Sequence, residues 1–225
     1  MDSKVLYHGS SEIIRIPLLS KGKLTNDYGQ GFYCTETRLL AAEWACTEGQ
    51  DGYVNQYDLN MERLHILNLG EKDYTVLHWL TVLVEYRKLR LSSPVMKQGA
   101  AWLIRNFHTD LTPFDIVIGY RADDSYFSFV RAFLANTISL EQLSRAIKLG
   151  KLGEQVVLKS DRAFDAIRFV TCERAENAVY YVRRKARDDS ARKQYLDILE
   201  ENAAEGLYLR DLIREGVAPD DVRLR

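Results

Sequence analysis

The apolar residues of this chain arrive in short runs, and each run is closed by turn residues. KVLYHGS (residues 4–10) ends in Gly9 and Ser10, GFYCT (31–35) follows two closely spaced glycines, and FDIVIGY (114–120) and EQVVLKS (154–160) are as brief. Runs of this length read as strands rather than helices. GYVNQYDLN (52–60) places Tyr53, Asn55, Tyr57 and Leu59 on one face and Val54, Gln56 and Asp58 on the other, the period of two that a half-buried strand requires. LHILNL (64–69) and DAIRFVTCE (165–173) complete the set. The segments between have helical spacing: TETRLLAAEWACTE (35–48), residues 75–91 and 95–108 split by Pro94, SYFSFVRAFLAN (125–136) and SLEQLSRAIKLG (139–150). Thr35 or Thr37 can cap the first helix, with Glu36 near its positive end. Ser139 followed by Gln142 is a capping-box pattern for the last, and Gly150 is its expected stop. Short strands segregated from helices predict an α+β fold.

At 225 residues the chain has room for one large domain, and with 46 % hydrophobic residues it can bury a real core. The division expected is a domain over 1–176 and a helical extension over 177–225 packed on it. The extension is marked by a shift to charge-rich sequence, with two helices broken near Asp188-Asp189-Ser190 and a third before Gly216. A formal charge of −1 gives no global argument for nucleic acid or for an acidic membrane surface. Cys34, Cys46 and Cys172 have no CxxC or zinc spacing, so they read as reduced thiols and no metal is implied. The first ten residues lack the apolar stretch of a signal peptide, and YTVLHWLTVLVEYRKL is too short and too polar to span a membrane. The expectation is a soluble cytoplasmic protein.

The segment YGQGFYCTET (28–37) puts Gly29 and Gly31 on either side of one residue, ahead of Phe32 and Tyr33. Glycine in such a place marks a bulge or a close approach to the backbone. It is no dinucleotide fingerprint, because a third glycine is missing from the register and a strand rather than a helix follows. Polar residues gather at strand edges in three segments, LYHGS, YGQGFYCT and GEQVVLKS. Singly, His8 reads as a structural histidine, Tyr33 as core and Glu154 as a solvated carboxylate. Asp123 and Asp124 read as a helix cap slightly ahead of half a metal site. The joint occurrence carries more weight than any one of them.

His8-Gly9 at the end of a first strand resembles the first motif of the diphtheria-toxin-like ADP-ribosyltransferases, and YGQGFYCTETRLLAAEWA is similar to the glycine-x-glycine-aromatic-tyrosine segment of poly(ADP-ribose) polymerases. The order His8, Tyr33, late acid matches their His–Tyr–Glu triad. A narrower resemblance, over roughly residues 5–175, is to an uncharacterised bacterial domain family related to those transferases. That family has a Tyr-His-Gly start, an Asp-Phe-Gly-Lys-Gly-Phe-Tyr-like loop and a D-x-x-x-G-x-x-A-D-D block, and this chain has NDYGQGFY and DIVIGYRADDSYF there.

The resemblance implies a split-sheet core and NAD as substrate. His8 would bond a ribose hydroxyl, Gly9 the carboxamide of nicotinamide, and Tyr33 would stack on its ring. Gly29, Gly31 and Phe32 in the glycine loop, with Asp123 and Asp124 in the middle block, would complete the binding site. It also implies an acceptor that is protein or nucleic acid, and a toxin or phage-defence role beside a small neutralising partner. At the third motif Glu154 and Gln155 are adjacent and must face opposite ways. The expectation is Glu154 inward as the catalytic carboxylate. The alternative is Gln155 inward, as in the narrower family, assisted by Asp123 or Asp124 or simply weak. Two further functions stay open: an inactive nucleotide-binding module of the same fold, and NAD hydrolysis with water as acceptor.

Overall fold

The computed structural model describes residues 3–122, 126–151, 153–200 and 206–224. The described residues form two sheets and eight α-helices, a mixed α+β architecture. The first sheet has the order β1 (Ser3–Ser10), β3 (Gly52–Asn60), β7 (Ile167–Ala175), all antiparallel. The second has the order β2 (Phe32–Cys34), β6 (Glu154–Leu158), β5 (Ile116–Tyr120), β4 (Ile66–Asn68), with only β4 and β5 parallel. Among the described residues a single bridge joins them: Tyr7 N donates to Thr35 O at 2.8 Å and Thr35 N returns the bond at 2.9 Å. Beyond that bridge β1 and β2 part.

The alternation read from the sequence decides how the sheets pack. Leu6, Tyr57 and Leu59 of the first sheet meet Phe32, Ile116, Ile118, Val156 and Leu158 of the second in one buried cluster. The outer face of the second sheet, with Val117 and Val157, lies under α2 (Val76–Tyr86), α3 (Pro94–Phe107), α4 (Tyr126–Leu134) and α5 (Leu140–Ala146), where Trp79, Phe107, Phe129 and Phe133 are fully buried. The expected Ser139–Gln142 capping box opens α5: Ser139 Oγ accepts from Gln142 N at 3.2 Å, and Gln142 Oε1 accepts from Ser139 N at 2.9 Å. α1 (Arg38–Ala45) lies on the first sheet through Ala41, Ala42 and Ala45.

Three local expectations need correction. α5 stops at Ala146, before Gly150. Residues 161–166 form a short helix, α6 (Asp161–Ala166), ahead of β7, because Ser160 Oγ accepts from Ala163 N and caps the turn. The expected break at Asp188-Asp189-Ser190 does not occur; α7 (Asn177–Glu200) is one helix of 24 residues. Those residues have modest helix propensity, but the segment holds no glycine or proline, and both side chains find partners one turn on. Arg192 Nε donates to Asp188 at 2.8 Å and Gln194 Nε2 to Ser190 Oγ at 2.9 Å. α8 (Leu209–Glu215) ends, as expected, at Gly216 in the left-handed region. Cys34, Cys46 and Cys172 are unpaired, and no described helix is long and apolar enough to cross a membrane.

Candidate functional site

Where β1 and β2 diverge, a cleft of about 830 Å³ opens, walled by both strands, the loop after β1 and side chains from α1, α7 and β6. His8, Phe32 and Tyr33 all line it. His8 Nδ1 lies 2.7 Å from Tyr33 O, so the imidazole itself spans the split. A carbonyl only accepts, so Nδ1 carries the proton and Nε2 keeps its lone pair. Burial pushes the His8 pKa down, the Tyr33 carbonyl opposes this, and the charge of Arg121 adds to it. The ring is therefore a neutral acceptor, and it is held flat on Phe32 at a centroid distance of 4.4 Å.

Tyr33 is fixed at its far end. Its hydroxyl donates to Gly29 O at 2.6 Å and accepts from Tyr28 N at 3.0 Å. The side chain thereby closes its own glycine loop, and burial keeps the phenol protonated. Gly29 has φ +73°, which favours glycine, and a Cβ there would stand 2.6 Å from the Tyr86 ring; it does not line the cleft. Gly9 and Gly31 line the cleft, but their lack of a side chain has other causes. A Cβ on Gly9 would lie 1.9 Å from Ala41 O of α1, and one on Gly31 2.7 Å from Leu158 O. These glycines admit a helix and a strand; the close neighbour is protein.

The choice at the third motif goes to the amide. Gln155 is buried and lines the cleft, whereas Glu154 is exposed, does not line it, and stands beside Gly70. The placement expected for Glu154 is thus corrected by strand alternation: Gln155 shares its face with Val157, and Glu154 takes the other. Asp123 and Asp124 lie outside the described residues.

A carboxylate stands behind the amide nonetheless. Gln155 Nε2 donates to Asp27 Oδ2 at 2.9 Å, Ala122 N donates to the same oxygen at 3.1 Å, and Arg87 Nε lies 3.6 Å from Oδ1. Burial raises the Asp27 pKa, while the Ala122 amide, Gln155, Arg87 and Arg121 work against that rise. Because Asp27 can only accept when ionised, it fixes which end of the Gln155 amide is the nitrogen. The carbonyl end, Oε1, is left for whatever enters the cleft. Asp27 belongs to the NDYGQGFY loop, but its partner is 128 positions away, and no local spacing announces the pair.

The loop after β1 is tied down by β3. Asn55 Oδ1 accepts from Ile14 N at 2.9 Å, Asn55 Nδ2 donates to Glu12 O at 3.2 Å, and Tyr57 Oη donates to Ile14 O at 2.5 Å. Among the described residues six cations line the cleft, Arg15, Lys21, Lys23, Arg87, Arg121 and Arg184, against two carboxylates, Glu12 and Asp27. The inner arginines are braced on rings: Arg121 lies 3.8 Å over Trp44, and Arg87 4.4 Å over Phe127. Arg184 comes from α7, which is clamped to α1 by Arg187. Its Nε lies 2.9 Å from Glu43 Oε2 and its second terminal nitrogen 2.6 Å from Oε1. Among the described residues no group of His, Cys, Asp and Glu side chains is placed to hold a metal ion.

A half-buried neutral histidine, a tethered aromatic, a carboxylate-backed amide and a surplus of positive charge suit a neutral-to-anionic ligand with hydroxyl donors. A family model described as a protein of unknown function (DUF3990) matches residues 4–169, well over half of the chain. No curated protein and no solved structure matches it.

Proposed function

The chain belongs to the DUF3990 family, and we propose that it is an NAD-dependent ADP-ribosyltransferase whose reaction centre is the cleft at the split between the two sheets. The observation that carries this reading is the convergence of His8, Tyr33 and the third-motif residue, now Gln155, on one positively lined cleft. These positions are far apart in the chain, and a pattern resembling the triad only by accident would have no reason to assemble.

In this reading a ribose hydroxyl donates to His8 Nε2, and the Tyr33 ring supports the nicotinamide. Arg87 and Arg121 balance the pyrophosphate. The C–N bond between ribosyl C1′ and nicotinamide breaks, and its electron pair leaves with nicotinamide. An acceptor oxygen or nitrogen then bonds C1′ and releases its proton to water. The transition state is cationic at the ribosyl ring, as in glycoside cleavage. Gln155 Oε1 meets that charge as a dipole, and the Asp27 carboxylate on the amide's other end polarises it further. The pair does through two residues what a glutamate would do through one.

The observation that the cleft-facing residue is an amide also favours a second reading, a nucleotide-binding module of the same fold without turnover. Incubation of the purified chain with adenylate-labelled NAD and a bacterial lysate separates them. Transfer of label to a macromolecule with release of nicotinamide supports the transferase. Free ADP-ribose as the sole product points to hydrolysis by water, retained NAD without products to the module, and no interaction with NAD overturns all three.

A further inference from the structure

Among the described residues the cleft holds more positive charge than a dinucleotide uses. NAD brings two pyrophosphate charges and the lining its own Glu12 and Asp27, so the six cations still leave a surplus of two. Outside the inner pair Arg87 and Arg121 stand Arg15, Lys21 and Lys23 on the loop after β1 and Arg184 on α7. Arg15, Lys21 and Lys23 are exposed on the loop after β1, and Arg184 is half-buried on α7 with exposed Arg183 and Lys185 beside it. Among the described residues Lys21, Lys23 and Arg184 take part in no ion pair. The loop is not a loose tail, since Asn55 and Tyr57 fix it at Glu12 and Ile14. Between Arg15 and Lys21 it exposes aliphatic side chains that line the cleft, Ile16 at 77 % and Leu18 at 52 %. The whole chain has a net charge of only −1, so this concentration is local.

Cations and exposed apolar side chains sharing one groove suit a chain of phosphates and bases. An acidic protein would satisfy the charge but has no need of the aliphatic interruptions. A duplex would keep its reactive atoms stacked and away from the cleft floor, whereas a single strand can feed one nucleotide inward. We propose that the basic rim of the cleft is a docking surface for single-stranded nucleic acid, and that a nucleotide presented there is the acceptor. The docking surface stands on the rim itself; its role as acceptor site rests on the transferase reading above. In the transfer an O–H or N–H of the nucleotide bonds ribosyl C1′, the bond to nicotinamide breaks with its electrons on nicotinamide, and the acceptor's proton passes to water.

The test is fluorescence anisotropy of a labelled 12-nucleotide single-stranded RNA and the corresponding DNA across a salt series, without NAD. Wild type should bind at least one of them with strong salt dependence. Lys21→Ala, Lys23→Ala and Arg184→Ala together should weaken binding at least about tenfold and flatten the salt slope by roughly 2, at about 0.7 per lost phosphate contact on a single strand. Lys21→Arg with Lys23→Arg should retain binding, and Lys97→Ala with Lys148→Ala, away from the cleft, should match wild type. Adding labelled NAD should then put label on the oligonucleotide. Absence of salt-dependent binding, or a triple variant that binds like wild type, overturns the proposal. So does label that passes to protein and is not competed by oligonucleotide. Rim-dependent binding with no nicotinamide released supports the docking surface while removing the transferase reading beneath it.

Discussion

Gln155 and Asp27 show how much of a site can be settled by one hydrogen bond. Gln155→Glu would place a second carboxylate 2.9 Å from a buried one. Two such groups cannot both ionise cheaply, so the variant should lose about 1–3 kcal/mol of stability at pH 7, seen as a lower denaturant midpoint. Its sign with pH follows from the raised Asp27 pKa. A carboxyl whose folded pKa lies above its unfolded value contributes stability that is complete at low pH and is lost as pH rises through the raised value. The deficit of Gln155→Glu should therefore shrink on acidification towards the ordinary carboxylate range, and Asp27→Asn should relieve it at pH 7. Tyr33 gives a second expectation. A stacking role alone would let phenylalanine replace it, yet its hydroxyl serves Gly29 O and Tyr28 N. Tyr33→Phe should cost about 1–3 kcal/mol in thermal or chemical unfolding, as expected when paired backbone groups lose their partner. At this scale the sequence made His8, Tyr33 and the choice between 154 and 155 visible, because motif order and strand alternation are local. It hid Asp27, Arg87 and Arg121, whose roles arise only when distant segments meet.

Elements pack where small residues let them. Gly9 on β1 and Gly52 on β3 face α1, and Cβ atoms there would stand 1.9 Å from Ala41 O and 2.1 Å from Ala45 O. Backbone cannot move aside as a side chain can, so Gly9→Ala should push α1 off the sheet and produce an expanded or insoluble protein; a variant with wild-type melting would contradict this packing. α1 is also held from its other side. Glu43 is 2 % exposed and meets Arg187 of α7 in a two-pronged pair. Arg187→Ala leaves a buried carboxylate without its partner and should destabilise by about 3 kcal/mol, whereas Arg192→Ala, whose pair with Asp188 is exposed, should shift unfolding by under about 1 kcal/mol. The strands and most helices were legible from period and caps, as the Ser139–Gln142 box illustrates. α6 was not, because six residues give too few turns for a period to register, and the continuity of α7 was not, because pairs at Asp188 and Ser190 outweigh their propensity.

Across the whole molecule, the two sheets share one bridge at Tyr7 and Thr35 and an apolar layer, and they part where the polar residues stand. A split of this kind gives a cleft with backbone on both sides and side chains that need not fill it. The sequence foretold a mixed α+β molecule; it did not foretell that α7 supplies Arg184 to the cleft, since a charged helix looks the same whether solvent or a ligand faces it. The central claim is that reaction takes place on the Gln155 side of β6. The most direct measurement is the rate of nicotinamide release from NAD by wild type, Glu154→Gln and Gln155→Ala side by side. The account predicts that Glu154→Gln releases nicotinamide at the wild-type rate and that Gln155→Ala is slower by about 100-fold or more, the usual loss when a transition-state contact is removed. Loss of release in Glu154→Gln with full activity in Gln155→Ala would contradict it.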